Sequence, residues 1–176
     1  MKKLAATALF SLLPFAAVQS PAHAAWVEKY GGAFAEPTET NSTILGIMLH
    51  CVDGAVLDVY SKDDGPALPA DGSATEADYF YKKGAVQADI DGKVFPLAAA
   101  GSDIAVVLFS EGEEEKSYLA PLYAEVIDAL AAGKTLTLSF DVSSTNGPDG
   151  SPFDTWARFD LTGATKLIYE ATASCS

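Results

Sequence analysis

Short stretches of alternating apolar and polar residues, separated by tight-turn signals, run along most of the chain. "NSTILGIMLHCVDGAVLDVYS" predicts two strands about a turn at Asp53–Gly54, and "GAVQADIDGKVFPLA" predicts a second hairpin about Asp91–Gly92, because Asp-Gly between alternating segments is a strong hairpin signal. The second hairpin would place five apolar side chains on one face: Val86, Ala88, Ile90, Phe95 and Leu97. Pro96 cannot donate to a sheet, so residues 93–97 are expected to form an edge strand.

The register of the first hairpin depends on the length of its turn. A two-residue turn would pair Val52 with Ala55, Cys51 with Val56 and His50 with Leu57. Leu57 would then lie on the face of Met48 and His50, and Val56 would lie on the face of Cys51. Because neighbouring strand residues point to opposite faces, His50 and Cys51 would not act as a pair.

Two stretches break the alternation. "APLYAEVIDALAAGK" has the apolar period of a helix, with Pro121 in its first turn and Gly133 at its end, and "TGATKLIYEATASCS" predicts a short C-terminal helix. "SDIAVVLFSE" is apolar on both faces, as a buried central strand would be. These elements predict a mainly β fold, an antiparallel immunoglobulin-like β-sandwich with one or two short helices; a twisted sheet covered by the helix is the alternative.

The N-terminal segment "MKKLAATALFSLLPFAAVQSPAHAAW" has the pattern of a secretory signal. Two lysines precede an apolar run of about 15 residues, and the "AHA" that ends at Ala24 fits a cleavage site. That run is shorter than the roughly 20 residues that span a bilayer. We therefore expect residues 1–24 to be a cleaved signal peptide and residues 25–176 to be a single domain. The mature chain would be a periplasmic or secreted bacterial protein with no transmembrane segment.

The chain is strongly acidic. Its 11 Lys and Arg residues oppose 24 Asp and Glu residues, for a net charge of −13 at pH 7. Cleavage of the signal would remove two of the lysines and no acidic residue, which makes the mature chain more acidic still. Phosphate backbones and anionic lipid surfaces attract basic patches. The composition therefore excludes nucleic acid as a partner.

Cys51 and Cys175 are the two cysteines of the chain. In an exported protein such a pair usually forms a disulfide, and closing a loop of about 124 residues would stabilise the fold by roughly 4–5 kcal/mol in the chain-entropy model. The bond would fasten a C-terminal element that is otherwise prone to fray to the strand that carries Cys51. A reactive thiol or an intermolecular bridge is the alternative.

Signals for catalysis and metal binding are sparse. His50 is the one histidine of the expected mature chain, which has no "GxSxG", "HExxH" or "CxxC" motif. Acidic pairs such as Asp89 with Asp91 and Asp149 with Asp154 could serve a hydrolase, but their Gly, Pro and Ser neighbours are typical of solvated turns. "DIDG" lacks the later ligands of an EF-hand loop, and "TNGPDG" could hold a cation through carbonyls and Asp149. No catalytic residue, cofactor or metal site is predicted.

Trp156 is the candidate for a binding site. In "FDTWARFD" it falls on the polar face with Arg158, the one arginine of the chain. An aromatic residue beside an arginine has the composition of an interaction hot spot. "DYFYKKG" would add Tyr79 and Tyr81 on one face of another extended stretch. The candidate partner-binding residues are therefore Trp156, Arg158, Tyr79 and Tyr81; the alternative is a sheet covered on both sides, with Trp156 in the core.

The second half of the chain, from about Lys93, follows the order "VFPL", "DIAVVLF", "VIDALAAGKTLTLSF", a polar loop and "FDLTGATKLIYEA". In this order, and in Leu161, Gly163 and Ala164 of the closing segment, it resembles the invasion-associated locus B family of small exported bacterial proteins. That family usually has more cysteines and an early Trp-to-Cys segment, whereas Trp26 has no cysteine nearby. The resemblance implies a periplasmic or surface-associated immunoglobulin-like β domain linked to host-cell association, with no catalytic residue to carry over.

The expected function is that of a non-catalytic exported envelope protein that acts by protein–protein contact, in the envelope or on a host surface. A secreted hydrolase that uses carboxylates, or a module that binds calcium or a small ligand, is the alternative. A raised carboxyl pKa inside a concave pocket would favour the hydrolase. A flat sheet face around Trp156 would favour the binding protein.

Overall fold

The structure is a computed structural model, and it describes residues 26–62, 80–101, 105–116, 118–142 and 146–175. The predicted signal peptide, residues 1–24, lies outside the described residues. So does most of the polar loop predicted after Ser61, together with the candidate residue Tyr79.

The described residues form twelve strands, two α-helices and a short 3-10 helix. In chain order these are β1 (Val27–Lys29), β2 (Gly32–Ala35), β3 (Glu39–Thr40), β4 (Ile44–Cys51), β5 (Ala55–Ser61), β6 (Phe80–Ile90), β7 (Lys93–Gly101), β8 (Val106–Phe109), β9 (Glu111–Glu113), the 3-10 helix (Glu114–Lys116), β10 (Tyr118–Ala120), α1 (Ala124–Ala132), β11 (Thr135–Phe140), β12 (Thr155–Asp160) and α2 (Thr165–Thr172). Within the described residues, ten strands form one antiparallel sheet in the order β1-β2-β4-β5-β8-β7-β6-β11-β12-β3, and β9 pairs with β10 separately. Of the described residues, 52% are in strands and 16% in helices, so the predicted mainly β, antiparallel fold with one or two short helices is confirmed.

One hydrophobic core lies against the inner face of the sheet. It takes fully buried side chains from strands and helices alike: Ile47, Leu49, Phe140, Phe159, Leu130 and Ile168. β4 stands near one end of the strand order and β12 near the other. A core that both strands share requires the sheet to fold over itself, which gives a sandwich-like arrangement.

The first hairpin has a three-residue turn, Val52–Gly54, and the predicted register is wrong by one residue. Cys51 pairs with Ala55, and Leu49 pairs with Leu57, so Leu57 shares the face of Cys51. This register sends Leu49 and Leu57 into the core together, since both are almost fully buried. A slip by one residue would turn one of the two strands inside out.

The second hairpin has the predicted two-residue turn, because Ile90 pairs with Lys93. The five residues predicted to share a face are all buried: Val86, Ala88, Ile90, Phe95 and Leu97. The prediction of an edge strand holds for residues 93–97 but not for β7 as a whole, which lies between β6 and β8. The reason is that β8 pairs only with residues 98–101 of β7. Pro96 therefore has a neighbouring strand on one side only, where its missing N–H costs no ladder hydrogen bond.

Both predicted helices are present, but α1 begins three residues after Pro121, so this proline precedes the helix and is not in its first turn. Val126 and Leu130 of α1 and Ile168 of α2 are buried. Gly133 ends α1 with a φ of −74°, which any residue can adopt. A Cβ atom at this position would lie 2.7 Å from Cγ2 of Ile90. The glycine is therefore required for close packing against β6, and not for a left-handed cap.

The disulfide between Cys51 and Cys175 is confirmed. It closes a separation of 124 residues, with the two Cα atoms 5.3 Å apart, a usual spacing for a disulfide. The bond fixes the segment after α2 to the end of β4. Such an intramolecular disulfide fits an extracellular or periplasmic protein.

Candidate functional site

Trp156 and Arg158 lie on the outer face of β12, as predicted. Trp156 is half-buried and Arg158 is exposed, whereas Ala157 between them is buried in the core. The guanidinium carbon of Arg158 lies 5.5 Å from the centroid of the Trp156 ring, within cation–π range. Nη1 of Arg158 lies 2.7 Å from Oε2 of Glu39 on β3. The pair is thus held in one arrangement by a ring contact and a surface ion pair.

The edge strand β3 and the residue after it hold the backbone of Trp156 in place. The side-chain oxygen of Asn41 accepts a hydrogen bond from the Trp156 N–H at 2.7 Å, and its amide nitrogen donates to the carbonyl of Asp154 at 3.0 Å. The Thr40 hydroxyl donates to the Trp156 carbonyl at 2.7 Å. With its backbone groups occupied, β12 presents the Trp156 ring from a rigid position.

Of the two predicted tyrosines, the structure describes only the backbone of Tyr81, and it does not place Tyr81 beside Trp156. Tyr79 lies outside the described residues. Tyr81 belongs to β6, opposite Ala99, and its side chain also lies outside them. Across the sheet, Trp156 stands beside Ser139, which stands beside Gln87 of β6. Tyr81 is six residues before Gln87, up to about 20 Å along the strand, so it is not a neighbour of Trp156.

His50 belongs to a polar cluster that no sequence motif predicted. Its Nε2 lies 2.9 Å from Oδ2 of Asp58, at ion-pair distance but without hydrogen-bond geometry, so this buried nitrogen has no hydrogen-bond partner among the described residues. The Tyr60 hydroxyl donates to the same oxygen at 3.1 Å. Burial, and then the Asp58 carboxylate beside it, raise the pKa of Tyr60 to about 12. The three side chains came together because the true register places Asp58 opposite Met48.

Next to Tyr60, an apolar groove opens on the outer face of β2 and β4. Its volume is about 340 Å³, and its walls include Tyr30, Phe34, Leu45, Met48 and Tyr60, with Lys29 at the rim. The volume is within the range of small-ligand sites. No motif predicted the groove, because its residues come from a hairpin and two strands that only the sheet register brings together. The exposed Tyr-Gly turn at residues 30–31 was the one available signal.

The carboxylates that could have served a hydrolase or a cation mostly support turns. Oδ1 of Asp89 accepts the Gly92 N–H at 2.7 Å, and Oδ2 of Asp91 accepts the Lys134 N–H at 2.9 Å. The Ser151 backbone N–H, bound to Asp149 at 3.0 Å, lowers the pKa of that carboxyl. Within the described part of the chain, no group of three or more His, Cys, Asp or Glu side chains is placed to hold a metal ion.

Asp141 and Asp154 lie close to each other where the chain leaves β11 and enters β12. Burial, and then the charge of Asp154, raise the pKa of Asp141. Asp154 accepts the Val142 N–H at 3.0 Å and so fixes the chain that leaves β11. The raised pKa is the property expected of a general acid. However, Asp141 does not line the groove beside Tyr60.

Comparison of the chain with protein-family models, curated proteins and solved structures found no significant match. No helix in the described ranges is long and apolar enough to cross a membrane. The fold and its two outward surfaces therefore define the class: a disulfide-fastened antiparallel β domain with an aromatic–arginine pair on one strand and an apolar groove on others.

Proposed function

We propose that the chain is a non-catalytic protein of the bacterial envelope that acts by contact with a protein partner. In this proposal residues 1–24 direct export and are removed near Ala24, so that the mature domain is periplasmic or secreted. The Cys51–Cys175 disulfide supports an oxidising compartment. The resemblance to the invasion-associated locus B family extends the proposal to host-cell association.

The observation that carries the proposal is the fixed pair of Trp156 and Arg158 on the outer face of β12. Aromatic and arginine side chains dominate protein-binding hot spots. A side chain that is ordered before binding loses less entropy on association, and here the backbone bonds from Thr40 and Asn41 provide that order. The strongly negative net charge of the chain favours a partner with basic side chains around its contact area.

Site-directed photo-crosslinking tests this function. A photoreactive phenylalanine derivative at position 156 should capture a defined envelope or host-surface protein when the disulfide is intact. The matched control is the same derivative at Tyr169, which is 49% exposed on α2. Trp156→Ala should then weaken binding of the purified partner by about 30-fold or more, the equivalent of roughly 2 kcal/mol. Equal capture from both positions, or unchanged affinity of Trp156→Ala, would contradict the proposal.

Export is tested separately. N-terminal sequencing of the protein recovered from the periplasm or the medium should begin at Ala25, since the pattern of small residues before it fits a signal-peptidase site. Recovery of a chain that still carries residues 1–24 would contradict the export part of the proposal and leave the binding part open to its own test.

A further inference from the structure

A glycine and a β-bulge on β4 shape the groove beside Tyr60. Gly46 lies under the Phe34 ring, and a Cβ atom at Gly46 would come 2.5 Å from Cζ of Phe34. The glycine thus leaves room for the ring to lie against β4. A β-bulge between Ile44 and Gly46 leaves Leu45 on the outside, where it is 55% exposed. These features create a concave apolar surface instead of a flat one.

Tyr30 forms the rim of the groove in an unusual backbone conformation. Because Lys29 pairs with Gly32, Tyr30 and Gly31 form a two-residue turn, with φ angles of 50° and 80°. Asn or Asp usually precedes Gly in such a turn, and the left-handed region costs a bulky residue about 1 kcal/mol or more. The tyrosine side chain is 89% exposed, so burial does not compensate for this cost. Strain kept at an exposed aromatic residue points to a function.

Lys29 is the charged group of the groove. Its Nζ lies 4.4 Å from the centroid of the Phe34 ring and 5.6 Å from that of Tyr30, and it forms no ion pair with any described residue. The neighbouring Glu28 carboxylate instead accepts the Gly31 N–H at 3.1 Å. Five other described basic side chains do pair with carboxylates: Lys83, Lys93, Lys116, Arg158 and Lys166. In so acidic a chain, an ammonium group that has no carboxylate partner among the described residues is available to a ligand.

We infer that the groove beside Tyr60 is a binding site for a small amphiphilic carboxylate, a molecule with an apolar body and one anionic end. The apolar body would lie along Phe34, Leu45 and Met48, and the carboxylate would pair with Lys29. Among the described residues that line the groove, Lys29 is the one with a formal charge, so an organic anion fits better than a cation. The two nearby carboxylates are engaged elsewhere: Glu28 accepts the Gly31 N–H, and Asp58 accepts the Tyr60 hydroxyl. This inference goes beyond the proposed protein contact and uses none of its residues.

Three probes with ten-carbon chains test the ligand class, the two ionic probes below their micelle concentrations and decanol below its solubility limit. Isothermal titration of the full mature chain with decanoate should show one bound molecule. Decanol, which has no charge, should bind more weakly, and decyltrimethylammonium should bind most weakly of the three. Absence of decanoate binding, or a preference for the ammonium probe, would overturn the inference.

Lys29→Met keeps most of the side-chain stem over Phe34 and removes the charge. It should weaken decanoate binding about tenfold or more, as expected for a hydrogen bond to a charged group, and leave decanol binding unchanged. Lys29→Arg should restore decanoate binding. The control Lys134→Met removes another exposed lysine without a described ion pair and should change nothing. Equal decanoate affinity of Lys29→Met and Lys134→Met would overturn the role of Lys29.

Leu45→Ser tests the apolar wall without disturbing the core, since Leu45 is exposed. It should weaken decanoate and decanol binding alike. An effect on neither probe would show that they bind elsewhere and would overturn the placement. None of these variants touches Trp156, so failure here leaves the cross-linking test of the proposed function independent.

Discussion

The indole nitrogen of Trp26 donates a hydrogen bond of 2.7 Å to the carbonyl oxygen of Asp160. Trp26 directly precedes β1, and Asp160 ends β12, which stand near opposite ends of the strand order. The Trp26 ring is 7% exposed and belongs to the core. This one residue therefore joins the two halves of the folded sheet, both through its ring and through its N–H group.

Two substitutions distinguish the contribution of the Trp26 hydrogen bond to stability from the contribution of its ring. Trp26→Phe should lower the free energy of unfolding by about 1–2 kcal/mol, because the carbonyl loses its donor while most apolar contact is kept. Trp26→Ala should cost about 3–5 kcal/mol, as truncation of a large core side chain does. Urea unfolding followed by circular dichroism measures both. If Trp26→Phe were as stable as the wild type, the bond would contribute nothing to closing the sheet.

The disulfide should carry a large part of the stability. Cys175→Ser frees the 124-residue separation and should cost up to about 4–5 kcal/mol in the chain-entropy model. Reduction of the wild-type protein should cause a similar loss. Ser174→Ala, beside the bond on an exposed residue, is the control and should stay within about 0.5 kcal/mol. Non-reducing digestion should link the peptides of Cys51 and Cys175 in one chain; two free thiols in periplasmic protein would contradict the pairing.

Alternation of apolar and polar residues correctly predicted which face of β11, β12 and the second hairpin is buried. In these strands the apolar positions alternate regularly, so the buried face follows from the residue types alone. Alternation could not decide the first hairpin, since "VDGA" accommodates either a two-residue or a three-residue turn. The difference of one residue changes which side chains face His50. The cluster of His50, Asp58 and Tyr60 therefore could not be predicted from the sequence, because the prediction depends on the register of the hairpin and not on the three residues alone.

The groove depends on relations that no local pattern contains. Phe34 finds room on β4 only because Gly46 lies beneath it, and these residues are twelve positions apart. Pro96 gives a second example, in which the pairing of a strand could not be predicted from the sequence. A proline indicates a strand without a neighbour at that point, and sequence alone does not reveal that β8 begins to pair with β7 two residues later, at Ala98.

Half-burial of Trp156 predicts a stability effect between those of surface and core residues. Trp156→Ala should cost about 1–2 kcal/mol, and Arg158→Ala should cost less than about 1 kcal/mol, since it removes an exposed ion pair and a cation–π contact. In a Trp26→Phe background, acrylamide should quench the remaining Trp156 fluorescence partially. A cost of 3–5 kcal/mol with fluorescence shielded from the quencher would place Trp156 in the core and remove it as a binding residue.

The phenol of Tyr60 should titrate well above the ordinary range of a tyrosine. Its pKa is raised from 10.0 to about 12, first by burial and then by the Asp58 carboxylate. The folded state thus holds the phenol proton more tightly than the unfolded state does. The resulting stabilisation is fully present below pH 10 and is lost as the pH rises from about 10 towards 12. Over that interval the wild type should lose stability more steeply than Tyr60→Phe.

The effect of the Asp58 carboxylate on the pKa of Tyr60 can be measured separately from the effect of burial. In Asp58→Asn the charge is gone and the surroundings remain, so the pKa of Tyr60 should fall towards 10 without reaching it, because burial is its largest cause. The difference in tyrosinate absorbance between each protein and its Tyr60→Phe counterpart isolates this one phenol. Tyr169 is the control phenol, because a hydrogen bond to Asp128 raises its pKa. The absorbance difference obtained with Tyr169→Phe should give the same pKa for Tyr169 with and without Asp58→Asn. A Tyr60 pKa unaffected by Asp58→Asn would mean that the two side chains are apart in solution, and that the polar cluster beside the groove does not form.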